Sequence, residues 1–351
     1  MLNNMELIKV IKSGVLPMWN KNFIGVHLAN STQFLDLDLN LLFELSNEFK
    51  IMGLTDDIAI LRKEEIYYNF DLKKRKIQNE FKQKMKGGII HEGKHLNLEL
   101  RDKTIHVSDI KKNEIIWKHH FDTSLRVILF ATNGKMIVGS LMDSSLKYCL
   151  DFSNGNIIWE LNPTELNMNT KTSKLGRTYL VDNLVIGMNE HREYYALNSE
   201  DKKQVWNLQL PPKSMGQVMI ENGKHYSISI TNYKFGEDTK YDFFYIITDF
   251  LKGKIISKIN ISNEVYKYGL IPIKGIDLGG VFGQFSIDES SLYFGVDNRL
   301  IAMDKLTGKM EIIYEHDAKL MFSKIIHNKL FYTDDYFRTL VFDMQGQSSL
   351  S

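Results

Sequence analysis

The sequence predicts an all-β protein assembled from a repeated antiparallel unit. Short β-branched and aromatic runs alternate with polar turns along all 351 residues, as strands with one covered face do. A turn frame also recurs. Its clearest copy is Cys149-Leu150-Asp151-Phe152-Ser153-Asn154-Gly155-Asn156-Ile157-Ile158-Trp159. There a strand ends, Asp151 caps the turn, Asn154-Gly155 supplies positive φ and a β-branched strand restarts. Finally, eight copies stand roughly 35 to 55 residues apart, the spacing of propeller blades. The expected fold is a single closed β-propeller of eight four-stranded antiparallel blades. Seven is the alternative, if the first copy is only a partial strand set.

Ala302-Met303-Asp304-Lys305-Leu306-Thr307-Gly308 leads to Ile312 in the frame of Trp159. Val107-Ser108-Asp109 leads through Asn113 to Trp117, Ala196-Leu197-Asn198 through Lys202 to Trp206, and Ile247-Thr248-Asp249 through Gly253 to Ser257. Weaker copies start at Asp71 and Asp36, and a last one is Phe342-Asp343-Met344-Gln345-Gly346. The pattern Ala-x-Asp-x-x-Thr-Gly-x-x-x-Trp resembles the repeat of quinoprotein-like, pyrroloquinoline-quinone-type β-propellers. Ala302 to Gly308 matches it best, and Asp151, Gly155 and Trp159 match the remaining key positions. Only three copies keep the tryptophan and three the glycine at its motif position. The resemblance implies that Asp and Gly build the turn and that Trp docks between neighbouring blades. It implies a fold more than an activity. The adjacent-cysteine pair of the quinone-dependent alcohol dehydrogenases is impossible with one cysteine, so no quinone is carried over and no cofactor is expected.

Taken in order, Met5 to Ile11 alternates and forms a strand. Phe23–Leu28, Gln33–Asp36 and Leu41–Leu45 make the first blade. Ile58–Leu61, Ile66–Phe70 and Ile77–Phe81 give a second, with Phe81 to Met85 also readable as a short helix. Ile89-Ile90, Leu96–Leu100, Thr104–Ser108 and Ile115–Trp117 form a third. Later repeats carry stronger signals, such as Met136–Ser140, Asn183–Gly187 and Leu292–Gly295. Trp117, Trp159 and Trp206 share one frame and are expected in the core, as packing devices. Leu320–Ser323, Lys329–Tyr332 and Thr339–Phe342 lack a fourth strand. An open edge invites aggregation, so the N-terminal strand is expected to complete the last blade and close the domain, residues 1–351.

Composition is that of a globular protein, 43% hydrophobic and 25% charged, with 44 basic and 43 acidic residues. A charge of +1 indicates no uniformly basic surface, so nucleic acid is not an expected partner. Lys73-Lys74-Arg75-Lys76 reads as a solvated hairpin tip. One cysteine, Cys149, excludes an intramolecular disulfide and fits a reducing compartment. The first residues carry no continuous apolar run, and no stretch is long enough to span a membrane. The expected location is cytoplasmic, without membrane insertion.

No motif for chemistry stands beside the repeat. Gly279-Gly280-Val281-Phe282-Gly283 has the wrong spacing for a dinucleotide fingerprint. His119-His120 in a strand point to opposite faces and cannot share a metal. Asp334-Asp335 and Asp56-Asp57 read as turn caps rather than acid/base or calcium sites. Two longer repeats offer contact surface. In the sixth, a long hairpin between Tyr226–Ile230 and Phe243–Ile247 carries Tyr233, Phe235, Glu237, Asp238 and Tyr241 at or beside its tip. In the seventh, Tyr266 to Ser290 holds Gly275, Gly279, Gly280 and Gly283. Aromatics beside polar loop residues suit recognition of another protein. The leading functional expectation is therefore a non-enzymatic protein-binding propeller, specifically a bacterial inhibitor or immunity protein neutralising a cognate toxin. An enzyme with a central-channel site and a carbohydrate-binding propeller are the alternatives. Asp109, Trp117, Asp151, Gly155, Trp159, Trp206, Asp304 and Gly308 are the structural repeat residues.

Overall fold

The computed structural model describes residues 5–12, 17–81, 88–91, 94–99, 104–109, 112, 114–121, 128–141, 147–162, 178–188, 193–210, 213–231, 241–270 and 285–344. Among these residues the strands form eight four-stranded antiparallel sheets.

Seven sheets use four consecutive strands. The first holds Met18–Trp19, Ile24–His27, Ser31–Leu35 and Leu41–Ser46. The second holds Lys50–Leu54, Ile58–Lys63, Ile66–Asp71 and Lys76–Phe81. The third holds Gly88–His91, Lys94–Glu99, Thr104–Asp109 and Glu114–His120, and the fourth Ile128–Thr132, Met136–Leu141, Lys147–Asp151 and Ile157–Leu161. Tyr179–Val181, Leu184–Met188, Glu193–Asn198 and Gln204–Gln209 make the fifth. The sixth holds Lys213–Glu221, Lys224–Thr231, Asp242–Asp249 and Lys254–Asn260, and the seventh Ser286–Ile287, Ser291–Val296, Arg299–Asp304 and Met310–Glu315. The eighth is discontinuous in sequence. Leu320–Ile326, Lys329–Asp334 and Thr339–Asp343 are joined by Glu6–Ile11, which runs antiparallel to the last of them, with Glu6 opposite Asp343 and Ile11 opposite Thr339.

Several strands escape sequence patterning for a physical reason. Met18–Trp19 is two residues long, and Lys50–Leu54 carries Gly53 in place of a packing side chain. A helix, Ser262–Lys267, follows the sixth sheet. Its only buried side chain is Val265, too short a signal for periodicity to register. Phe81 ends the Lys76–Phe81 strand rather than opening a short helix, and residues 82–85 of that expectation lie outside the described residues.

Residues group into two compact units, each with its own cores. One comprises 1–51, 211–248 and 255–351, and the other 52–210 and 249–254. In the first unit, Tyr226, Ile228 and Phe243 of the sixth sheet pack with Phe294, Ile301 and Met303 of the seventh. Ile24, Val26 and Leu35 of the first sheet pack with Phe331 and Val341 of the eighth. In the second unit, Val107 and Trp117 meet Ile137, Leu150 and Phe152, while Cys149 and Trp159 meet Val185 and Leu197. Within each unit neighbouring sheets thus bury apolar faces against one another, the layered solution open to strongly twisted sheets.

The final hairpin of most sheets carries a register shift just before its turn, at Phe34/Leu35, Asn69/Phe70, Val107/Ser108, Cys149/Leu150 and Ala196/Leu197. Such bulges increase local twist and re-aim the chain into the capped turn that follows.

Candidate functional site

Antiparallel order sorts the connections. In each sheet the turn between third and fourth strands lies at one end. The turn between second and third strands lies at the other, with the link to the following sheet. The two ends are built differently.

At the first end stand the aspartate turns. Asp151 Oδ1 accepts the Ser153 N–H at 2.7 Å and the Asn154 N–H at 3.3 Å. Asp304 Oδ1 accepts from the N–H groups of Leu306 and Thr307 at 3.0 and 2.7 Å and from the Thr307 hydroxyl at 2.8 Å. Asp249 caps Leu251 and Lys252, Asn198 caps Glu200 and Asp201, and Asp109 caps Lys112. Hydrogen bonds from Ser153 hold the Asp151 carboxyl below the usual carboxylate range. The residue four places on adopts positive φ in Arg75, Gly155, Lys202, Gly253 and Gly308. Glycine is required where a neighbour sits on it. A methyl at Gly155 would come within 2.4 Å of the Trp117 ring, and one at Gly253 within 2.3 Å of Trp206. Buried Trp117 donates its indole N–H to the Phe152 carbonyl at 2.9 Å, and buried Trp159 donates to Ser199 at 2.7 Å. Trp206 is only half-buried, and its indole N–H has no acceptor among the described residues. It packs on Phe250 and Gly253 but is less buried than the core placement expected of it. At Gly308 the neighbour is Ile261 rather than a tryptophan.

At the other end one turn stands out, Asp334-Asp335-Tyr336-Phe337-Arg338 in the eighth sheet. Asp334 Oδ1 accepts the N–H groups of Tyr336 and Arg338 at 3.0 and 2.7 Å. Its other oxygen accepts Arg338 Nε at 2.6 Å and lies 2.9 Å from His316 Nε2. Arg338 reaches on to Asp317, with Nη2 2.5 Å from one carboxylate oxygen and Nη1 3.2 Å from the other. His316 and Asp317 belong to the link between the seventh and eighth sheets. Burial opposes ionisation of Asp334, but hydrogen bonds from His316 and Arg338 outweigh it and hold the carboxyl below its usual range. Hydrogen bonding from Arg338 does the same to Asp317, and the guanidinium is held protonated in return.

This clamp holds two aromatics in solvent. Tyr336 is 71% and Phe337 57% exposed. Phe337 also sits at φ 58°, a left-handed conformation that costs a bulky residue roughly 1 kcal/mol or more. The Arg338 guanidinium lies 5.4 Å from the Tyr336 ring centroid, within cation–π range.

Tyr336, Phe337 and Arg338 form one wall of a groove of about 700 Å³. Opposite stand His27, Leu28 and Ala29, in the turn between second and third strands of the first sheet, with Asn47 and Lys50 beyond it and Lys12 after the Glu6–Ile11 strand. That wall is braced. Asn47 Nδ2 donates to the Ala29 carbonyl at 2.8 Å, His27 Nδ1 lies 2.8 Å from Thr32 Oγ1, and the Thr32 hydroxyl donates to the Phe49 carbonyl. Burial first, then the Lys50 charge, push the His27 pKa down, so its ring is neutral at pH 7.

The residues expected from sequence to meet a partner lie elsewhere. Tyr233, Phe235, Glu237 and Asp238 lie outside the described residues, as do Gly275, Gly279, Gly280 and Gly283. Tyr241 is half-buried against the sixth- and seventh-sheet core, and its N–H donates to the Tyr266 hydroxyl at 2.8 Å. Asp334 is a turn cap, and Asp57 pairs with Lys73 at 2.8 Å. Lys73 to Lys76 are exposed. The Tyr336-Phe337 pair was missed. Two adjacent aromatics inside a polar turn are the sequence signal that marks it.

Other perturbed groups lie inside sheets. Burial pushes the Lys147 amine down to about 7, and it donates to Thr178 Oγ1 at 2.9 Å. Burial lowers His225 to about 3 and raises the Cys149 thiol to about 12. Among the described residues no group of three His, Cys, Asp or Glu is placed to hold a metal ion, and no helix is long and apolar enough to cross a membrane.

Repeated four-stranded antiparallel sheets with capped outer hairpins define a β-propeller. Solved structures agree. BamB from Moraxella catarrhalis and the computationally designed Ika8 protein each superpose with a TM-score of 0.60 at 12% identity, covering 97% of this chain and 99% of theirs. Sqt1 from Saccharomyces cerevisiae gives 0.60 at 9% identity, covering 92% of each chain. At such identity the likeness shows the fold alone. No protein-family model matches the chain, and no curated protein matches it in sequence.

Proposed function

We propose that this chain is a non-enzymatic protein-binding propeller, and that within that class it is a cytoplasmic inhibitor neutralising a cognate toxic protein. Propellers serve in general as interaction scaffolds, with function placed on their connections. The observation that carries the proposal is the Asp334–Arg338 clamp, which presents Tyr336 and Phe337 rigidly beside an open groove. Exposed aromatics held in place contribute binding area at little ordering cost. The eight sheets are the blades of one closed ring with degenerate quinoprotein-like repeats. The pairing of Glu6–Ile11 with Thr339–Asp343 and the recurrent aspartate turns support that reading. A lone buried cysteine with a raised pKa suits a reducing compartment.

Affinity purification of the tagged full-length protein from its native cells, with neighbouring gene products co-expressed and mass spectrometry as readout, tests the proposal. One stoichiometric protein that is toxic when expressed alone is the expected result. A small molecule or metal recovered with no protein partner would instead favour an enzyme.

A further inference from the structure

The groove beside Phe337 is charged asymmetrically. Among the described residues that line it, three are cationic and none is acidic. Arg338 is already neutralised by Asp317 and Asp334. Lys12 and Lys50 are both exposed, and no ion pair engages either among the described residues. Lys12 follows the Glu6–Ile11 strand and Lys50 opens the Lys50–Leu54 strand, and the space they share also holds Leu28, Tyr336 and Phe337.

We propose that this groove takes an extended acidic segment of a partner protein. Carboxylates meet Lys12 and Lys50, and one apolar side chain seats against Phe337 and Leu28. The inference rests on the reading of the chain as a protein-binding propeller. Charge complementarity selects the acidic segment, because Lys12 and Lys50, with no ion-pair partner among the described residues, favour an anionic visitor. The groove is also long. A second hollow of about 290 Å³ shares Lys12 and Leu28 and continues along Val10, a path suited to a chain that advances about 3.3 Å per residue. A free phosphate group fits less well. The one guanidinium able to grip it bidentately is occupied by two carboxylates, and much of the lining is apolar.

Fluorescence anisotropy on the full chain tests this with three labelled octapeptides, of alternating aspartate and leucine, asparagine and leucine, and lysine and leucine. The aspartate peptide is expected to bind wild type most tightly and to weaken with added salt. K12E/K50E is expected to lower its affinity at least about tenfold and to raise that of the lysine peptide. Both lysines are exposed, so an unchanged melting temperature verifies folding of the variant. Equal binding of aspartate and asparagine peptides, affinity that survives K12E/K50E, or no binding up to about 1 mM would overturn the proposal. So would inorganic triphosphate binding more tightly than the aspartate peptide and losing that affinity in K12E/K50E, since the groove would then be a phosphate site. The co-purification experiment separates the two levels. A protein partner retained equally by K12E/K50E rejects the acidic segment and leaves the protein-binding reading standing. No partner on wild type rejects that reading itself.

Discussion

Two turns of the first compact unit share one backbone design and opposite fates. In Asp36-Leu37-Asp38-Leu39-Asn40, Asp36 Oδ1 accepts the N–H groups of Asp38 and Asn40, and the Leu39 N–H donates to the Asp36 carbonyl. In Asp334-Asp335-Tyr336-Phe337-Arg338, Asp334 Oδ1 accepts the N–H groups of Tyr336 and Arg338, and the Phe337 N–H donates to the Asp334 carbonyl. Each puts an apolar residue at positive φ, Leu39 at 70° and Phe337 at 58°. Leu39 is only 7% exposed and packs into the core shared by the first and eighth sheets. Burying a leucine returns about 2 kcal/mol, which more than offsets the backbone strain. Phe337 is more than half exposed, so burial returns little. Its turn is held by His316, Arg338 and Asp317, whereas the Asp36 turn is held by Asn40 on Asp36, Lys9 on the Leu39 carbonyl and Lys329 on Asp38. A strained residue that burial does not reward is the feature on which the proposed contact surface rests.

Gly155 marks the other extreme, because its positive-φ position lies under Trp117. Gly155→Ala combines a left-handed alanine with a methyl driven into the indole, and should cost about 3 kcal/mol, read as a lower denaturant midpoint. Leu39→Ala should cost about 2 kcal/mol by opening a cavity in the first–eighth core, measured the same way. If Leu39→Ala proves neutral, burial does not explain the first turn and the comparison breaks.

Asp334→Asn should cost about 1.5 kcal/mol at pH 7, since it weakens hydrogen bonds to a charged, buried group. Its pH dependence sharpens the point. The folded-state carboxyl is held below its unfolded value, so its contribution is complete above about pH 4 and is lost as pH falls through the lower folded value. Below about pH 4 the variant should therefore lose stability less steeply than wild type in pH-resolved denaturation. A parallel slope would mean that the clamp does not act through that charge. The smallest stability effect is expected at the exposed end. Phe337→Gly should stabilise by up to about 1 kcal/mol, because glycine adopts the left-handed region freely, while partner binding weakens.

The repeat was legible because its chemistry is local. An aspartate bonds N–H groups two and three residues on, and the positive φ falls four residues on, so Asp151 and Asp304 announce their turns in the chain itself. The strand run Glu6–Ile11 could be seen, and a missing edge strand pointed to its partner. The groove was not legible. Lys12, Leu28 and Phe337 sit on three separate connections and Lys50 opens a strand, each unremarkable alone, and nothing near Arg338 in sequence reveals that it reaches Asp317. Trp206 also shows a limit of frame reading. It keeps the position of Trp117 and Trp159 but is less buried and, among the described residues, lacks their hydrogen bond to a carbonyl.

On the proposed reading the Asp334–Arg338 turn trades stability for contact. Its most direct test is one paired measurement on Phe337→Gly, melting temperature and affinity for the protein that co-purifies with wild type. The expected result is a melting temperature equal to or above wild type and an affinity at least about tenfold lower. A variant that binds its partner as wild type does, or that melts several degrees lower, would contradict it.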